Sequence, residues 1–221
     1  MKKELEEAIS RFNSKHIELN VIKKLPSGKE AEVYLVESKT QLFALKVYKE
    51  RLKRSFKNDQ VYTQGKFYRR ASERKAVRLN TGFGKALKQR LWIKREFYLL
   101  KKLFDAGANI PEPIEMVPNA ILMKYIGDRE YPAPLLKDAT LTPKQIEKYY
   151  KVIKQDIDIF WKNGIVHGDL SEYNILYWKG KIYIIDFPQS VDVRNNSNAE
   201  ALLARDKKNI DSWYQKVKKE V

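Results

Sequence analysis

The chain has 221 residues and no cysteine, and its 44 Lys and Arg against 28 Asp and Glu give a formal net charge of +16. That length suits one large domain or two closely joined lobes, and the absence of thiols excludes disulfides, thiolate nucleophiles and cysteine-ligated zinc. The N-terminal MKKELEEAISRFNSKH lacks the apolar run of a secretory signal, and no stretch of about 18 apolar residues offers a membrane span. A cytoplasmic protein with no membrane partner is the expectation. The charge is uneven: Lys49 to Leu91 holds fourteen Lys or Arg against Glu50, Asp59 and Glu73, which is +11 of the +16. Such a block is ordinarily a solvated surface, and it is also the footprint of contact with a polyanion.

In chain order, residues 2–15 predict a short helix. IELNVIKKLPSG and EAEVYLVES predict two strands around a turn at Pro26-Ser27-Gly28, and LFALKVYK predicts a third. The basic segment follows, and Gly82 and Gly84 in LNTGFGKAL argue against continuous helix there. LKQRLWIKREFYLLKKLFDAG places Leu91, Trp92, Phe97, Leu99, Leu100 and Leu103 at helical spacing and stops at Gly107. NAILMKYIG reads as a strand. TPKQIEKYYKVIKQDIDIFWKNG reads as a long helix with Thr142 as N-cap, Pro143 at its first position and Gly164 near its end. IVHGDLSEYNILYW and KIYIIDF then predict two short strands around a polar loop, with a turn at Lys179-Gly180. A final helix runs from about Ala199 to Lys219. With the sheet first, helices later and a hinge near Tyr125 to Gly127, the pattern predicts a bilobed α+β protein.

The chemistry gathers in HGDLSEYN and IIDF. His167, Asp169 and Asn174 have the spacing H-x-D-x4-N, and Asp186 lies twelve residues beyond Asn174 at the end of the next strand. Two neighbouring hairpin ends can bring Asp169, Asn174 and Asp186 together. Asn174 and Asp186 offer hard oxygen donors suited to Mg2+, and Asp169 is left to orient or deprotonate a nucleophile. Taken singly, each of these residues is more ordinarily a turn former or cap; the ordered combination matches the catalytic and metal loops of protein kinases.

That template makes demands upstream. It needs a strand lysine for the α- and β-phosphates, and FALKVY supplies Lys46 inside an apolar strand, a costly place for an unpaired charge. It needs a helix glutamate to pair with that lysine, and LWIKREFYLL supplies Glu96, which could equally be an exposed helical partner of a neighbouring cation. It needs a phosphate-covering turn, and PSGKEAEV has one glycine rather than three. Ser27, Gly28 and Lys29 are its candidate phosphate contacts.

These residues resemble a known family. SGKEAEVYLV, ALKVYK, ILMKYIGD, APLL, VHGDLSEYNIL and IIDFPQSVD are similar to the RIO-type atypical serine/threonine protein kinases, from about residue 20 to the C-terminus. The resemblance implies a two-lobed protein-kinase-like α+β fold, with an antiparallel N-lobe sheet plus helix and a truncated, mostly helical C-lobe. One RIO kinase domain would fill 1–221: an N-terminal helix at 1–19, an N-lobe at 20–124 that includes the basic loop 49–91, a hinge at 125–127 and a C-lobe at 128–221. It further implies ATP with Mg2+ or Mn2+ between the lobes, a Lys46–Glu96 ion pair, and phosphate contact at Ser27. Met123, Tyr125 and Ile126 would contact adenine through the hinge backbone. Asp169 would be the catalytic aspartate, with Lys46 and Asp186 completing the machinery; Asn174 and Asp186 would hold metal. Family members of eukaryotes and archaea act on maturing small ribosomal subunits, so rRNA or a pre-ribosomal particle is a candidate partner for segment 49–91.

Only 35 residues follow Asp186, too few for the activation loop and substrate-binding helices of ordinary protein kinases. Autophosphorylation or ATP hydrolysis is therefore expected at least as much as transfer to a peptide. The resemblance adds an acyl-phosphate on Asp186. Two other readings compete: a small-molecule phosphotransferase of the aminoglycoside type, which shares H-G-D…N…I-D-F, and an RNA-binding module in which Tyr62, Phe67, Tyr68 and Phe83 stack on bases among the basic residues. Pro188 fixes its own φ and removes an N–H, so the loop after Asp186 is expected to be rigid.

Overall fold

The computed structural model describes residues 2–28, 31–49, 79 and 81–220. Lys29 and most of the basic segment, with Tyr62, Phe67 and Tyr68, lie outside the described residues. The chain divides into two compact units, one of residues 1–98 with 113–125 and one of residues 99–112 with 126–221.

The first unit is built on a five-stranded antiparallel sheet of order β1-β2-β3-β5-β4, made by β1 (Asn20–Leu25), β2 (Ala31–Ser38), β3 (Gln41–Tyr48), β4 (Pro113–Val117) and β5 (Ala120–Lys124). Strand alternation sorts its side chains onto two faces. Tyr34, Val36, Leu45, Val47, Ala120 and Leu122 point one way and bury Ala8 and Phe12 of helix α1 (Lys2–Asn13). Ala31, Tyr48 and Ile121 point the other way and pack against Trp92, Ile93 and Phe97 of helix α2 (Gly82–Asp105). Lys46 lies between Leu45 and Val47, so it belongs to the α2 face.

Two expectations need correction here. The glycines do not break α2, which begins at Gly82, so the last ten residues of the predicted basic loop are helical. Thr81 accounts for this: its Oγ1 accepts the Gly84 N–H at 3.1 Å and its carbonyl accepts the Lys85 N–H at 2.9 Å. This is N-cap geometry, and the glycine penalty is one of helix interiors rather than first turns. Strand β4 is an element the sequence reading passed over. Its Pro113 tolerates the sheet because β4 is an edge strand and the proline is its first residue.

The second unit has a core of its own. Helix α3 (Pro143–Lys162) buries Ile146, Tyr149, Ile153, Ile157 and Phe160 at three- and four-residue spacing against Leu170, Ile175, Ile182, Ile184 and Phe187, and against Ile210 and Trp213 of helix α4 (Ala199–Glu220). Residues 99–112 group with this unit because Leu99, Leu100, Leu103, Ala108 and Ile110 belong to that core. Thr142 caps α3 as expected, in a capping box with Gln145. Tyr150 of α3 stacks on Tyr214 of α4 with ring centroids 4.1 Å apart. Two small ribbons complete the unit: β6 (Ile165–Val166) pairs with β9 (Val191–Asp192), and β7 (Ile175–Trp178) pairs with β8 (Lys181–Ile184). Among the described residues, no helix is long and apolar enough to cross a membrane.

Phe12 is completely buried between α1 and the sheet. Replacing it with alanine removes that contact and leaves a cavity, so Phe12→Ala should cost the chain about 3–5 kcal/mol in urea unfolding. A loss below about 1 kcal/mol would mean that α1 does not help hold the sheet.

Candidate active site

In the first unit, the β3 lysine and the α2 glutamate meet on the same side of the sheet. Lys46 Nζ donates to Glu96 Oε1 at 2.9 Å, with side chains only 12% and 4% exposed. The lysine also lies 5.5 Å from the centre of the Tyr48 ring. Glu96 Oε2 is buried and accepts no hydrogen bond among the described residues. Removing either partner of such a pair would strand a charge in the interior. Ser27 and Gly28 are exposed in the β1–β2 turn, and a Cβ built on Gly28 meets nothing within 4 Å. Met123 is half-buried on β5, and Tyr125 is buried with Leu25 and Leu35.

In the second unit, strand β6 delivers the chain into His167, which is buried. Its Nε2 lies 3.1 Å from the Ile185 carbonyl. A carbonyl only accepts, so Nε2 carries the proton. Nδ1 is buried with no partner among the described residues. Burial pushes the imidazole below its ordinary range, against the upward pull of Asp206, Ile185, Asp186 and Asp169, so His167 is a neutral brace. Gly168 follows at φ +80°, and a Cβ there would sit 2.6 Å from the Gln189 carbonyl oxygen. Only glycine fits that backbone and that space.

Asp169 is exposed, and hydrogen bonds tie it to its neighbours in the motif. Asn174 Nδ2 donates to the Asp169 carbonyl at 2.7 Å. The Asn174 carbonyl accepts the Ile185 N–H at 2.9 Å, one step beyond the Ile175–Ile184 pair of the β7–β8 ladder. The next residue, Asp186, is exposed at φ +68°. The polar loop and the β7–β8 hairpin therefore gather Asp169, Asn174 and Asp186 within one unit.

The donor set fits a hard divalent cation. The Asn174 amide nitrogen is pinned to Asp169, so its Oδ1 is the end available as a ligand, and Asp186 adds a carboxylate. Two such oxygens suit Mg2+, which keeps waters and phosphate oxygens in its shell. Among the described residues, no cluster of three or more His, Asp or Glu could form an all-protein cage. Ile126, expected to contact adenine, already accepts the Ala133 N–H on its carbonyl at 3.0 Å.

Sequence reasoning missed the residues that hold this loop. Asp206 of α4 is buried and accepts the Gly168 N–H at 2.8 Å and the Leu170 N–H at 2.9 Å. Burial raises its pKa, against those two bonds and the nearby His167 and Arg205. Arg205 donates to the Gly168 carbonyl, and Asn209 Nδ2 donates to the Leu170 carbonyl at 3.0 Å. The available signal was an acid on the apolar face of a helix, since Asp206, Ile210 and Trp213 share helical spacing. Asp156 repeats it among Ile153, Ile157 and Phe160 of α3. Its Oδ1 accepts the Asn109 N–H at 2.9 Å, and the Asn109 side-chain amide lies 3.1 Å from both carboxylate oxygens. The Asn109 carbonyl in turn accepts the Ile184 N–H at 2.8 Å, two residues before Asp186.

The family model for the RIO domain matches residues 32–221. The serine/threonine-protein kinase rio1 of Schizosaccharomyces pombe is 34% identical over 87% of this chain and 38% of its own length. The RIO-type serine/threonine-protein kinase Rio1 of Methanocaldococcus jannaschii is 34% identical over 86% of this chain and 61% of its own. The human serine/threonine-protein kinase RIO1 is 32% identical over 87% and 33%. The chain spans less than two thirds of the length of each of these relatives.

Burial raises Asp156 from the ordinary 3.8 to about 6, outweighing its hydrogen bonds from Asn109. Between those values the folded chain holds a proton that the unfolded chain has released. This contribution is therefore complete below pH 3.8 and is lost as pH rises through about 6. Asp156→Asn removes the titration. The stability of the variant relative to the parent should rise by up to roughly 3 kcal/mol between about pH 4 and pH 7 in urea unfolding. A difference that stays flat with pH would refute the assignment.

Proposed function

The chain belongs to the RIO-domain family of atypical serine/threonine protein kinases, and we propose that it transfers the terminal phosphoryl group of ATP in a Mg2+-dependent reaction. The β–γ bond of ATP breaks and ADP leaves, and the other product is phosphorylated protein, through autophosphorylation or a serine/threonine acceptor, or inorganic phosphate where water is the acceptor. The observation that carries this reading is the Asn174 link, which joins the Asp169 carbonyl through a side chain and the Ile185 N–H through a backbone carbonyl.

Each residue then has a definable task. The exposed Asp169 carboxylate orients the acceptor hydroxyl and takes its proton as the oxygen attacks phosphorus. Asn174 and Asp186 would hold Mg2+, with Mn2+ as a substitute; the metal, when bound, neutralises charge on the phosphate oxygens. Lys46, fixed by Glu96, offers its ammonium to the α- and β-phosphates. Ser27, Gly28 and Lys29 are assigned to phosphate, and Met123, Tyr125 and Ile126 to adenine; of these, the Ile126 carbonyl is already engaged. His167 touches no substrate in this scheme. It braces Ile185, and through it the backbone that carries Asp186. A cytoplasmic setting and an rRNA or pre-ribosomal partner bound through segment 49–91 complete the reading.

The test is turnover of γ-labelled ATP with Mg2+, following label to protein, to water and to added acceptors. Asp169→Asn and Asp186→Ala should each lower turnover at least about 100-fold while leaving the thermal melt in place. If both variants turn over ATP like the parent, the assignment fails. Transfer of label to an aminoglycoside would instead identify a small-molecule phosphotransferase.

A further inference from the structure

The part of α2 that lies in the first unit has an unusual solvent face. Residues 82–98 contain five cations, Lys85, Lys88, Arg90, Lys94 and Arg95, and a single acid, Glu96. That acid is turned inward onto Lys46, so residues 82–98 send no carboxylate outward. Phe83, Arg90, Lys94 and Tyr98 are all exposed. At 100° per residue they fall within an arc of about 80°, along roughly 22 Å of helix. Phe83 is 63% exposed and Tyr98 is 55% exposed, a large aromatic area for a charged helix face to leave in water. Trp92 is buried on the opposite face, and Ile93 and Phe97 are buried along one flank, so the stripe stands on an anchored helix. The Tyr98 ring is held edge-on to Phe97 at 5.6 Å, with the Lys94 ammonium 5.7 Å from its centre.

Two aromatic faces bracketing two cations, with no other acid in residues 82–98, match a chain that offers alternating π-faces and phosphates. We propose that the Phe83–Arg90–Lys94–Tyr98 stripe of α2 binds single-stranded RNA, with bases stacked on Phe83 and Tyr98 and phosphates paired with Arg90 and Lys94. A duplex hides its base faces, and an acidic polypeptide offers carboxylates to the cations without a base at every repeat to stack on the two rings. This inference rests on the RNA-partner reading above and is independent of phosphoryl transfer.

The experiment uses the full chain and an unstructured labelled RNA of about 12 nucleotides, titrated at several salt concentrations. Phe83→Ala with Tyr98→Ala should weaken binding at least about tenfold with the salt slope unchanged. Arg90→Ser with Lys94→Ser should make the log–log salt slope shallower by about 1.4. All four residues are exposed, so thermal melts should match the parent and separate lost binding from lost folding. If the parent binds RNA and both double variants bind equally well, the stripe is wrong and the RNA-partner reading survives. If the parent does not bind RNA, both fall. A duplex bound as tightly as the single strand and unaffected by the aromatic changes overturns the stacking. Poly-glutamate bound as tightly as RNA, and lost in the same variants, reassigns the stripe to an acidic protein.

Discussion

The polar loop of the second unit depends on one buried carboxylate. Asp206 takes the N–H groups of Gly168 and Leu170, the two residues that flank Asp169. With both neighbours fixed from below by α4, the backbone of Asp169 has little freedom. Its carbonyl is then taken by Asn174, and Asn174 in turn fixes Ile185. A single anchor thus propagates through hydrogen bonds to all three polar residues of the motif. The cost is a desolvated acid, which burial pushes toward its protonated form; two charge-assisted bonds and the neighbouring Arg205 offset it. Losing the carboxylate would leave two buried N–H groups without acceptors, which costs more than the bonds are worth in net terms.

The Lys46–Glu96 pair follows a similar logic in the first unit. An ion pair this deeply buried contributes little net stability, because desolvation consumes most of the Coulombic gain. Its value is positional. Strand alternation puts Lys46 on the α2 face, the apolar stripe of α2 presents Glu96 to it, and neither side chain can leave without stranding the other. On the carboxylate side, Glu96 Oε2 is buried and accepts no further hydrogen bond among the described residues.

Much of this was legible in the sequence, for identifiable reasons. Strand-forming composition in EAEVYLVES and LFALKVYK led to β2 and β3, and the Thr142-Pro143 start with Gly164 placed α3 nearly to the residue. The H-x-D-x4-N spacing found the loop because its residues are close in sequence and its hairpin is local. What escaped reading was set by distant contacts. The start of α2 depends on Thr81 capping the helix, which outweighs two glycines. Strand β4 is short, begins with proline, and is a strand only because β5 lies beside it. Asp206 and Asp156 looked like ordinary helix acids, since nothing local says that their helix face is buried.

The backbone at Asp186 joins these threads. A non-glycine residue at φ +68° costs on the order of 1–2 kcal/mol, and such a conformation persists only where the surroundings over-determine it. Here they do. The Ile185 N–H is held by Asn174, and the Ile185 carbonyl is held by His167. On the far side Phe187 packs against Phe160 and His167, and its carbonyl accepts both the N–H and the hydroxyl of Ser190. Pro188 lies inside that closed turn and adds its own fixed φ. The strain is thus localised at Asp186, which is exposed, while both neighbours are pinned. A relaxed φ at position 186 would turn the backbone and redirect the carboxylate, so this angle is part of what sets where the Asp186 side chain points.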